Sequence, residues 1–150
     1  MHPYEYLTLV VLHILGAATW IGSLISTLFG SIPHARASGD LTALKHAGKI
    51  VVGRLGLAAL ILQVLTGVRL GTKFGWGVIL RFEGPASHLV LSKITLLVVI
   101  ILIGGHLYHK TLPRLSPEGL RSFAAATWLL LVLSLLIAVA GAGLQTGALL

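Results

Sequence analysis

The chain contains no cysteine, and its one methionine is Met1. Disulfides, thiolate-ligated iron–sulfur clusters and thiolate zinc sites are therefore excluded. Charge is equally scarce, at 10% of 150 residues. Soluble domains carry about 25% charged residues, so an ordinary soluble domain is excluded too. A disordered chain needs low hydrophobicity, and this chain is 56% hydrophobic. There is no P-loop, no GxSxG, no HExxH and no dinucleotide fingerprint. The four acids, Glu5, Asp40, Glu83 and Glu118, fall in loops or near segment ends. A carboxylate proton relay across a membrane has no material to work with.

What remains is apolar length. Mean hydropathy is +0.97. A helix needs about 20 mostly apolar residues to cross the hydrocarbon core. Four segments meet that need, at approximately 6–32, 50–71, 88–107 and 123–150. The expected fold is an all-α, integral membrane, up-down bundle of four transmembrane helices in one domain. Transmembrane β-strands alternate apolar and polar residues, whereas Leu96 to Gly104 is apolar throughout. The first segment lacks a basic leader, so it reads as a retained span rather than a signal peptide.

Net charge is +7. The basic residues flank apolar spans, so lipid headgroups, and not nucleic acid, are the expected partner. Arg36, Lys45, Lys49, Arg54, Lys110, Arg114 and Arg121 border the first and third loops, while Arg69, Lys73, Arg81 and Lys93 border the second. The positive-inside rule puts loops one and three in the cytoplasm of a bacterial-type plasma membrane, with both termini outside. Pro33, Gly39 and Asp40 are breakers in loop one, and Asp40 or Thr42 is suited to cap an amphipathic start to helix two. Ser87 is the expected N-cap of helix three. Aromatics in loop two, among them Phe74, Trp76 and Phe82, suit an interfacial belt.

Seven histidines stand against four acids. His2, His34 and His109 read as boundary residues. His13 falls inside the apolar part of helix one, where an ionisable group is functional by default. His88 and His106 are eighteen residues apart, about five whole turns, so they share a face of helix three. His46 opens helix two. Two imidazoles from facing helices can clamp a haem iron. The outer candidates are His13 and His88, the inner ones His46 with His106 or His109. Arg54, Arg69, Arg81 and Lys93 could pair with propionates. Gly16, Ala17, Ala18 and Gly22 leave room near His13 for a flat ring or a close helix. Gln63 and Gln145 are candidates for interhelical hydrogen bonds. Cuprous copper prefers sulfur ligands, which favours haem over copper here.

These residues also resemble known membrane families. Leu12-His13-Ile14 with Trp20-Ile21-Gly22 is similar to the opening helix of the CopD-like membrane domain. Leu65-Thr66-Gly67-Val68 resembles the end of that family's second helix, and Ser92-Lys93 before an aliphatic run resembles its third. The histidine-to-tryptophan spacing and the helix-three lysine also resemble the HemJ-type protoporphyrinogen oxidases, haem b proteins of similar size. The resemblance spans roughly Leu7 to Leu115. It implies copper uptake or resistance in the first case, and porphyrinogen oxidation with His13 and Lys93 as functional positions in the second. The expectation is a membrane haem b redox protein, with quinone or a redox protein as partner, alone, as a homodimer or within a larger complex. The alternatives are a CopD-like copper protein using the same histidines, or a cofactor-free accessory subunit.

Overall fold

A computed structural model describes residues 2–81 and 84–146. Among them there is no strand. Helix α1 runs over Pro3–Ser38, and α2 over Leu41–Gly71. A short α3 follows at Trp76–Leu80. Helix α4 spans Pro85–His106 and continues through turns to Arg114. Helix α5 spans Leu120–Thr146. Four of these helices are long and apolar enough to cross a membrane, as the hydropathy of the sequence requires.

The first helix extends beyond its expected end because Pro33 does not break it. The backbone widens instead at Thr27–Ser31, where Ile32 N–H reaches the carbonyl of Thr27. Proline has no N–H and its ring crowds the carbonyl four residues back, here that of Phe29. A wide turn absorbs both problems. Pro113 repeats the arrangement in α4, with a wide turn at Leu107–Thr111 that includes His109, four residues before it. A third wide turn, Val51–Gly56, lies in α2 without a proline.

Loop one accordingly shrinks to two residues. Gly39 takes φ 71°, the left-handed conformation that glycine adopts without strain, and bonds back to the Ala35 carbonyl at 3.0 Å. Asp40 then caps α2 by accepting from Thr42 N–H at 2.7 Å. Ser87 does not cap α4. The helix starts two residues earlier, after Gly84, and Ser87 is buried in its first turn. Of the loop-two aromatics, the side chain of Phe74, together with all of Phe82, lies outside the described residues, as does the side chain of Gln145. Trp76 packs on Gly71.

Helices α1 and α2 form the tightest pair. Glycines set their spacing: a Cβ at Gly56 would come within 3.0 Å of the Trp20 ring, and one at Gly16 within 3.2 Å of the Ala59 carbonyl. Such small residues let backbones approach where lipid offers no hydrophobic drive to associate. Helix α5 packs on α1 and on α4, whereas α2 and α4 meet mainly at their wide turns and where Leu41–Ile50 meets Leu112–Arg114. The bundle is thus an arc in the order α2, α1, α5, α4, parted between its two ends. Trp20, Leu24, Leu28, Leu44, Ile100, Tyr108, Phe123 and Leu130 make the core. Trp20 Nε1–H donates to Ser134 Oγ at 2.9 Å, tying α1 to α5.

The outside is as apolar as the inside. Leu7, Ile14, Leu65, Leu102 and Val139 are all exposed by 60% or more. Only hydrocarbon can cover faces of this extent, and the chain is a membrane protein. Hydroxyl groups within the spans hide their protons in their own helix: Thr8, Thr19, Thr27, Thr66, Thr95, Thr127 and Ser134 each donate to the carbonyl four residues back.

Candidate functional site

His13 lies ten residues into α1, about 15 Å along its axis. Its Nδ1 is 2.8 Å from Thr66 Oγ1 on α2. The threonine proton is already used, because Thr66 Oγ1 donates to the Leu62 carbonyl at 2.6 Å. Thr66 can therefore only accept, and His13 Nδ1–H donates. This fixes the imidazole as the Nδ1–H tautomer and leaves the lone pair on Nε2. Gly67, next to the acceptor, leaves the ring its space: a Cβ there would sit 3.4 Å from His13 Cε1. The backbone of His13 is held as well, since Gln63 Nε2 donates to its carbonyl at 2.5 Å. Gln63 thus supplies the interhelical bond that its position in the sequence suggests.

Lys93 comes from α4, eight residues after Pro85. Its side chain crosses to α5, where a Cβ on Gly141 would come within 3.2 Å of Nζ. It is half-buried. The structure therefore places a histidine of α1 and a lysine of α4 at the end of the bundle that carries the chain's N-terminus. Among the described residues Lys93 forms no ion pair, and the ion pair that does form joins Glu5 to Arg69. Arg69 donates to Glu5 Oε1 from Nε at 2.9 Å and again from Nη2. Lys73 adds a contact across the same end, with Nζ 4.5 Å from the centre of the Tyr6 ring.

The other sequence candidates are placed differently. His88 is exposed in the first turn of α4, and His106 is exposed at that helix's far end. His46 is exposed in the second turn of α2. Arg54 is exposed on the wide turn of α2, at the opposite end from His13. Arg81 is exposed after α3. Arg69 is engaged with Glu5. Among the described residues no group of three or more His, Cys, Asp or Glu is arranged to hold a metal ion.

Two features carry no signal in residue spacing. Thr66 orients His13 from 53 positions away. Tyr108 buries its hydroxyl beside Thr27 and Thr127, at the other end of the core. Both threonines have already given their protons to backbone carbonyls, so only their lone pairs face the phenol. The chain matches no family model, no curated protein and no solved structure.

Proposed function

We propose that this chain is a small membrane haem b protein that performs redox work at the His13–Lys93 site. The observation that carries this reading is the 2.8 Å contact between His13 Nδ1 and Thr66 Oγ1, which assigns the ring N–H to Nδ1. Iron-ligating histidines characteristically donate their second ring N–H to an oxygen, which orients the ring and raises its basicity. Thr66 plays that part here, leaving Nε2 as the ligand. Bound haem would supply one-electron chemistry, with a potential set by burial and axial ligation.

The protein's own residues account for the choice of cofactor. Lys93, half-buried at the same end of the bundle, forms no ion pair among the described residues. A cuprous ion would add a second positive charge there. Haem b carries two propionates, and one of them would balance the lysine. Gly16 and Gly67, which let α1 and α2 pack closely beside His13, would limit water there. His88, His46 and His106 are exposed on the bundle surface, so His13 is the histidine that would hold the haem iron. Quinone, a porphyrinogen or a partner cytochrome would exchange electrons with the site. The excess of basic residues around the first and third loops orients the chain with those loops in the cytoplasm and its termini outside.

The test is spectroscopic. The protein is purified in mild detergent, and oxidised and reduced visible spectra are recorded with metal analysis. A Soret band with a sharpened reduced α-band, and iron without copper, is the expected result. Stoichiometric copper without pigment would overturn the reading. Absence of both would make the chain a cofactor-free subunit.

A further inference from the structure

We infer that the parting between α2 and α4 is a binding site for an anionic lipid, with one hydrocarbon chain in the cleft and the phosphate at its basic end. The cleft has a volume of about 420 Å³, within the range of small-molecule sites. Leu60, Ile61 and Val64 line one wall, and Ile101 with Gly104 lines the other. Trp20 lies between them at the base, only 5% exposed. Ile61, Leu65 and Ile101 border the cleft and are themselves exposed, so it opens sideways to the hydrocarbon. An apolar slot in that position takes an apolar chain.

The two ends of the cleft differ, and the difference selects the headgroup. At one end the lining changes to Gly53 and His109. Arg54 and Lys110 follow these residues directly in sequence, and both are exposed. No acid lines the cleft, and among the described residues neither cation forms an ion pair. A phosphate at this level meets an arginine, a lysine and an imidazole, whose N–H groups make charge-assisted bonds to its oxygens. The site is separate from His13 and does not depend on haem.

Trp20 provides the readout. With Trp76→Phe and Trp128→Phe in place it is the remaining tryptophan, and surrounding protein shields it from bulk lipid. The protein is placed in nanodiscs of phosphatidylcholine containing a small fraction of lipid with brominated chains, which quench indole on contact. Quenching is expected, stronger with brominated phosphatidylglycerol than with brominated phosphatidylcholine. Gly105→Phe is the blocking variant. Gly105 lines the cleft, and a Cβ there has nothing within 4 Å, so a side chain can start from this position and a phenylalanine ring would occupy the slot. It should abolish quenching. Arg54→Gln with Lys110→Gln should keep quenching and lose the preference for the anionic lipid. Absent quenching, quenching unaffected by Gly105→Phe, or equal response to both lipids would each overturn the inference. Absent quenching in a dimeric protein would assign the cleft to a second copy of the chain instead.

Discussion

Thr66→Val removes one oxygen and leaves the volume of the side chain nearly unchanged. Thr66 is 3% exposed and accepts the His13 Nδ1–H at 2.8 Å. After the substitution, His13 has two options. It can keep its N–H on Nδ1, unsatisfied against apolar surroundings, at a cost of about 1–3 kcal/mol. Or it can shift the proton to Nε2, which removes the lone pair that would ligate iron in the proposed haem protein. Both routes weaken ligation. Loss of such an orienting partner costs about 10–100-fold in metal affinity. That range corresponds to about 1.4–2.8 kcal/mol, in agreement with the cost of the unsatisfied donor. The assay is titration of the haem-free protein with haemin in detergent, following the Soret band. Thr66→Ser keeps the acceptor and should bind as the unaltered protein does. Unchanged haemin affinity and Soret position in Thr66→Val would refute the argument, because Thr66 would then have no hold on the imidazole.

Other outcomes follow from the same geometry. Gly56→Ala places a methyl 3.0 Å from the rigid Trp20 ring and should destabilise the protein by about 1–3 kcal/mol in detergent unfolding. Arg69→Gln breaks an exposed ion pair with Glu5, so neither the unfolding midpoint nor the haem content should change measurably. The Asp40 carboxyl is held below its ordinary range by the Thr42 backbone N–H and then by the Thr42 side chain. Its capping contribution is therefore full above the ordinary carboxylate pKa and is lost as pH falls through the lowered value. Asp40→Asn, which caps without titrating, should flatten that acid limb in a pH series of unfolding measurements.

The four spans were legible because run length alone decides whether a helix can cross a bilayer, and runs such as Leu96–Gly104 have no other use. The capping role of Asp40 was legible from its place before Leu41. The reach of α1 through Pro33 was not, because a proline kinks, widens or ends a helix according to what the neighbouring turn can absorb. Here a wide turn at Thr27–Ser31 absorbs it. Depth was easier to read than facing. Eighteen residues do put His88 and His106 on one face of α4, but that helix is apolar all round. Lipid is as apolar as the bundle interior, so hydrophobic periodicity cannot say which face turns inward. Both histidines are on the surface, while Lys93, which could equally have reached outward to the headgroups, turns toward Gly141. The Thr66–His13 bond is a tertiary contact and has no expression in local pattern.

The central claim is that His13 is the iron ligand. Haem per polypeptide, measured by the pyridine haemochrome method in His13→Ala and His34→Ala proteins purified side by side, tests it most directly. His34 is exposed in the far part of α1 and serves as the matched control. The account predicts loss of haem in His13→Ala and full content in His34→Ala. Full haem content in His13→Ala, or its loss in His34→Ala, would contradict it.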